Sequence, residues 1–234
     1  MIVVVPSTTP DVQAEAWQAV GELYRRLPGG WVVVGGQMVQ FHCWRAGVAP
    51  PRATLDIDLG LATRPEPSIF PRLTGELEAM GFRPVLHDSE IEYRWVRPSQ
   101  AAPALPVQFD VLLPSNLGQH APRSVNGRRG LESRGIEWVT RTRQTHEVCV
   151  GGSTFTVPVP HLLGAMVAKS SALLNTADRY KGRHLEDLAL LCDLATVADL
   201  RRPLTAKERD RLGRALARCE QTTAVRRALL AVRD

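Results

Sequence analysis

The hydrophobic period of this 234-residue chain changes near Pro160, and that change constrains its fold more than any other feature. Before Pro160, short apolar runs alternate with helical patterns. From His161 onward only the 3.6-residue period of helices remains. The expected fold is therefore mixed α/β (α+β): a core over 1–159 with a mixed sheet flanked by helices, then a helical C-terminal domain over 160–234. The patterns predict helices over 9–27, 37–45, 68–80, 161–174, 184–194 and 205–230. Thr9 is read as N-cap of the first, with Pro10 at its first position. Strands are expected over 31–34, 54–61, 83–87, 91–96 and 107–113. One or two more fall within 147–157, ended by Pro158 and Pro160. Residues 114–134 show few signs of regular structure.

Composition sets broad limits. Hydrophobic residues make up 44% and charged residues 23%, as in ordinary soluble domains. No apolar run approaches the roughly 20 residues needed to span a bilayer. The apolar opening, 1–5, lacks a basic leader and soon meets Pro6 and Pro10, so a cytoplasmic address is expected. Cys43, Cys149, Cys192 and Cys219 are scattered without a CxxC pair, which fits neither a disulfide framework nor a zinc site. The net charge is +5, and residues 201–234 alone carry ten Lys or Arg against four Asp or Glu. A basic end on a near-neutral body fits a polyanionic partner such as RNA, or simply a solvated arginine-rich face.

The chemistry-bearing stretch is TLDIDLG, 54–60. In a strand, Asp56 and Asp58 point to one side and Leu55, Ile57 and Leu59 to the other. Two carboxylates roughly 6–7 Å apart repel unless a cation neutralises them, and carboxylate oxygens suit magnesium; the alternative is a solvated strand face. Gly35 and Gly36 lie between a buried strand and a helix. There, bare backbone can approach a phosphate at the helix N-terminus, or merely make a tight turn. Asp110, inside the apolar VQFDVLL strand, must face a cleft or have a partner. Lys169 is the sole charged side chain of an apolar helix, read as a cation for a triphosphate or as a snorkelling surface residue. Arg179, Lys181 and Arg183 read as solvated residues between helices.

The order strand–Gly-Gly–helix, then Asp-x-Asp, then a third Asp on a later strand resembles the polymerase-beta-type nucleotidyltransferases. Here it runs WVVVGGQMVQFH, RATLDIDLG and VQFDVL. Within that superfamily the chain is most similar to the AbiEii-like toxins, including the MenT group. In that branch an Arg and a Thr or Ser precede the acidic pair, matched by Arg52 and Thr54. A later helical Lys and an Asp in a "DL" motif are matched by Lys169 and Asp187. The resemblance spans about 32–191, and departs from many relatives at Gln37 and Met38 after the glycines. It implies a magnesium-dependent enzyme with two Mg2+ ions held by Asp56, Asp58 and Asp110, and with Lys169 and Asp187 in the catalytic set. Gly35, Gly36, Arg52, Thr54 and Lys169 would bind an NTP. It further implies transfer of a nucleoside monophosphate to the 3′ end of an RNA such as tRNA, as the toxin of a toxin–antitoxin pair with a cognate antitoxin. Arg123, Arg128, Arg129 and Arg134, with the C-terminal arginines, would grip the RNA. Related enzymes that modify small hydroxylated molecules such as aminoglycosides supply the other acceptor class, and a nucleotide-binding relic the non-catalytic one.

Overall fold

The computed structural model describes residues 1–85, 90–175 and 181–233. In chain order the elements are β1 (Ile2–Val4), α1 (Asp11–Arg26), β2 (Trp31–Val34), α2 (Gly35–Arg45), β3 (Ile57–Leu61), α3 (Ile69–Ala79), β4 (Arg83–Pro84), β5 (Arg94–Arg97), β6 (Val107–Pro114), β7 (Leu131–Ser133), α4 (Ile136–Arg141), β8 (Arg143–Val150), β9 (Ser153–Pro160), α5 (Leu162–Leu173), α6 (Lys181–Leu194), α7 (Val197–Leu200), α8 (Ala206–Leu216) and α9 (Thr223–Arg233). The expected mixed α/β architecture is present. A six-stranded sheet runs β2-β3-β6-β5-β4 with β7 also on β6, and a three-stranded sheet runs β1-β8-β9. β3 pairs parallel with β6, while β2–β3 and β5–β6 are antiparallel, which makes the larger sheet mixed.

Alternation along the central strands decides what each face does. Trp31, Val33, Ile57, Leu59, Phe109 and Val111 point to one face and enter the main core with Trp17, Leu23, Phe70 and Leu73 of α1 and α3. The apolar stripe Ala16, Val20, Leu23, Leu27 expected of the first helix is buried throughout. On the opposite face Val32, Val34, Ile136 and Val139 form a small second cluster beneath α4, joined by Leu112 and by Ala168 of α5. The apolar residues of the C-terminal helices, among them Leu163, Leu188, Leu212 and Val225, belong to the same main core as β3 and β6.

Several elements differ from expectation for identifiable reasons. β3 starts at Ile57, so Asp56 lies one residue before the strand. The N-cap of α1 is Pro10 rather than Thr9. Pro158 does not end the strand: β9 runs through it as the sheet's edge, where a missing N–H removes no ladder bond on its free side, and stops at Pro160. The expected helix over 205–230 is two helices. Gln221 donates its amide to the carbonyls of Leu216 and Cys219, and the Thr222 hydroxyl accepts from the Val225 amide, so one helix is closed and the next opened. Residues 114–134 hold a 3-10 turn, Gly118–His120, and lead into β7. The end of the strand expected over 83–87 and Arg179 lie outside the described residues. Cys43, Cys192 and Cys219 are buried and all four thiols are free.

Candidate active site

Strand register assembles the site. Val34 pairs with Asp58, Asp58 with Asp110, and Asp110 with Arg94, so one row crosses β2, β3, β6 and β5. Residues directly opposite one another share a face. Asp58, Asp110 and Arg94 therefore project together from the face that α4 covers one row further along. Asp56 joins them from the extended segment ahead of β3. Oxygens of Asp56, Asp58 and Asp110 all lie within 4.8 Å of one another.

Each carboxylate has a different environment. Asp56 accepts a hydrogen bond from the Thr54 hydroxyl at 2.7 Å. Asp110, 6% exposed, is gripped by the Arg94 fork, Nε to Oδ1 at 3.0 Å and Nη2 to Oδ2 at 2.8 Å, and its Oδ1 also accepts from Gln108 at 3.1 Å. That charge-assisted bond to Asp110 raises Arg94 above the usual guanidinium range. Asp58 is pushed up to about 7, chiefly by burial and then by the negative charges of Asp56 and Asp110, with Lys169 and Arg94 opposing. A cluster that holds its own proton near neutrality is short of positive charge. With oxygen donors only, the three side chains fit a hard divalent cation such as magnesium.

The glycine pair is part of this packing. Gly35 adopts φ +68°, and a Cβ there would stand 1.7 Å from Asp58 Oδ2. A Cβ on Gly36 would meet Thr54 Cγ2 at 2.8 Å. Val34, the N-cap residue of α2, makes no side-chain capping bond, and the helix begins at these glycines. The helix start lies beside the acidic row, and a helix N-terminus favours an anion. Gln37, the departure after the glycines, is fully buried. It donates to the Thr54 carbonyl at 2.6 Å and accepts from Gln13 and the Trp17 indole at 2.9 and 2.8 Å. That network ties the segment carrying Thr54 and Asp56 to α1 and α2.

Lys169 is buried rather than snorkelling at the surface. Its Nζ lies 2.7 Å from Oδ2 of Asp187, which is 2% exposed, and Arg52 Nη2 reaches both Asp187 oxygens at 2.8 and 2.9 Å. The second nitrogen of the fork, Arg52 Nη1, is buried without a partner among the described residues. Asp187 thus gathers two cations from distant segments beside Thr54 and Gly36, which line the same small cleft.

The structure brings all nine residues picked from the sequence into two adjoining clusters. Arg94, Gln108 and Gln37 were missed. The alternation of β5 puts Arg94 on the face opposite buried Trp95, but only the β5–β6 register reveals that it meets Asp110. The four arginines expected to act together divide. Arg123 bonds the Gly127 carbonyl in a loop of its own, while Arg134 lies beside α4.

The fold is nucleotidyltransferase-like. The chain is similar to an antigenic nucleotidyltransferase-like protein from Paracoccidioides brasiliensis, with a TM-score of 0.62 over 95% of this chain and 94% of that one, at 14% identity. It is also similar to the antibiotic-resistance factor ANT(2'')-Ia, over 81% of this chain and 88% of that one at 14% identity, with a TM-score of 0.46. No family model matches the chain, and no curated protein does.

Proposed function

We propose that the protein is a magnesium-dependent nucleotidyltransferase that moves a nucleoside monophosphate from an NTP to the 3′ hydroxyl of an RNA, releasing pyrophosphate. The observation that carries this reading is the convergence of Asp56, Asp58 and Asp110 within 4.8 Å beside a glycine-bearing helix N-terminus. Asp56, Asp58 and Asp110 would hold the two magnesium ions. When bound, magnesium would supply positive charge against the α-phosphate and leaving group and would make the attacking hydroxyl more acidic. The chain's own groups do the rest. Amides at Gly35 and Gly36 receive phosphate oxygens, and Thr54 keeps Asp56 aimed at the site. Lys169 and the free nitrogen of Arg52, both tethered by Asp187, place positive charge for the outer phosphates. The acceptor oxygen bonds to the α-phosphorus, the bond to the β-phosphate breaks, pyrophosphate departs, and Asp110 takes the hydroxyl proton. Catalysis is mainly alignment and electrostatic stabilisation.

The acceptor class follows from charge. A polycationic small molecule such as an aminoglycoside needs an acidic pocket, whereas here cations already face the carboxylates at Arg94, Arg52 and Lys169. The net charge of +5 and the basic C-terminal segment favour RNA, with tRNA ends as the substrate expected of a toxin that a cognate antitoxin would neutralise. The test is incubation of the purified protein with each labelled NTP, magnesium and total tRNA. Label should enter tRNA, and either Asp58→Ala or Asp110→Ala should lower the rate by at least ~10²-fold. Label appearing in small molecules alone, or full activity in either variant, overturns this reading.

A further inference from the structure

We infer that a second, separate site clamps the phosphodiester backbone of the RNA, in the pocket between α4 and α8. The pocket encloses about 560 Å³ and is lined by Arg64, Arg134, Arg141, Lys207 and Arg211, with Glu137 as its one carboxylate. Glu137 is taken by Arg64 at 3.1 Å, and Arg141 pairs with Glu208 at 3.2 Å at the pocket's margin. Arg134, Lys207 and Arg211 form no ion pair among the described residues. Solvated surface cations normally spread apart, but two of these are held together. Arg211 lies 4.7 Å and Lys207 5.9 Å from the ring centre of the nearly buried Trp138. Burial, and then the charges of Arg134 and Arg214, lower Arg211 from its ordinary value, with Asp210 opposing. Asn116, on the rim, adopts φ +64°, and Arg64 Nη2 donates to the carbonyl of Ser115 beside it at 3.0 Å. Guanidinium forks and an ammonium concentrated in this way match phosphate groups.

Position argues for a polymer. The pocket opens past the C-terminal ends of β3 and β6, on the sheet face that carries the acidic row, with α4 between the two. Asp110 and Ser115 are five residues apart along β6, roughly 16 Å at strand spacing, a span of about five stacked nucleotides. An RNA with its 3′ end at Asp110 reaches Arg134 and Arg211 by crossing α4, whereas an isolated nucleotide at the acidic row does not.

This inference takes its RNA from the proposed function, but its test reads binding without metal, NTP or turnover. Fluorescence anisotropy of a labelled hairpin RNA with a single-stranded 3′ tail would be followed over a salt series. Arg134→Ala with Lys207→Ala should weaken binding and lower the magnitude of the log–log salt slope by roughly 1–2, because each lost phosphate contact removes about 0.7–0.9. Both residues are exposed, so the fold should survive. Arg25→Ala with Arg45→Ala, two exposed residues that remove equal charge elsewhere, should leave binding near that of the parent. Equal loss from both pairs means diffuse charge and overturns the pocket, as does unchanged binding in the first pair. Polyglutamate of matched charge competing as well as unlabelled RNA would also overturn it, in favour of an acidic protein partner. Should labelling of tRNA fail while the Arg134–Lys207 effect persists, the clamp stands and the transfer reaction falls.

Discussion

Asp58 sits where three requirements meet. It is the middle of the acidic cluster, it is the side chain against which Gly35 packs, and it is held near neutrality in its protonated form. An aspartate in an unfolded chain ionises near 3.8, whereas Asp58 does so at about 7 in the folded protein. Between those values the folded state holds a proton that the unfolded state has released. Its contribution to the metal-free fold is thus favourable in acid and is lost as pH rises through 7. A divalent cation must displace that proton, so its apparent affinity should fall as pH drops below 7, by up to about tenfold per unit, and level off above. Calorimetric titration of magnesium or manganese in buffers of different ionisation enthalpy would show proton release near pH 6 and little at pH 8.5. An affinity that stayed flat across this range would contradict the environment assigned to Asp58.

The junction of β2 with α2 is the element on which the row depends. Gly35→Ala forces an L side chain into φ +68° and drives its Cβ into the Asp58 carboxylate. The backbone part is expected to cost about 1–3 kcal/mol. Gly47→Ala is the fair comparison, since Gly47 has φ +70° and open space around its missing Cβ. Chemical denaturation of the pair should show the larger loss at Gly35, and only that variant should also lose metal affinity. The junction also shows what pattern can and cannot convey. Trp31–Val34, the glycines and the alternation around Asp56 and Asp58 are local signals, and local signals place both elements and the acidic pair. Which strand lies beside β3 is not local. The β3–β6 pairing joins Asp58 to Asp110 across 52 positions, and the Arg94 fork comes from a strand whose face was readable but whose neighbour was not. Lys169 and Asp187 were picked as separate motifs, and their shared ion pair with Arg52 exists only once α5, α6 and the loop before β3 have packed. Pro158 of β9 misled for a related reason, because its effect depends on whether the strand is an edge.

At the level of the molecule, the change from alternating elements to helices near Pro160 marks a change of architecture within one hydrophobic core. Leu163, Met166 and Leu188 pack with the residues of the sheet, and Lys169 completes a cluster begun by Arg52. We propose that 1–159 and 160–234 are subdivisions of a single cooperative unit. The segment 1–159 expressed alone should then show no sharp unfolding transition, exposing the apolar surface that α5 covers and leaving Arg52 without Asp187. Adding 160–234 as a separate chain should restore a transition if the two associate. A cooperative, well-folded 1–159 would show instead that the helices are an appendage.

The row that crosses four strands has a consequence for how such a chain tolerates change over generations. Gain or loss of one residue inside β3 or β6 would invert every side chain beyond it, sending Asp58 or Asp110 into the apolar interior and a leucine or valine into the cleft. Fold and chemistry would fail together in a single step. Length variation should therefore collect in the connecting loops, such as 98–106, while the strands carrying the aspartates keep their count.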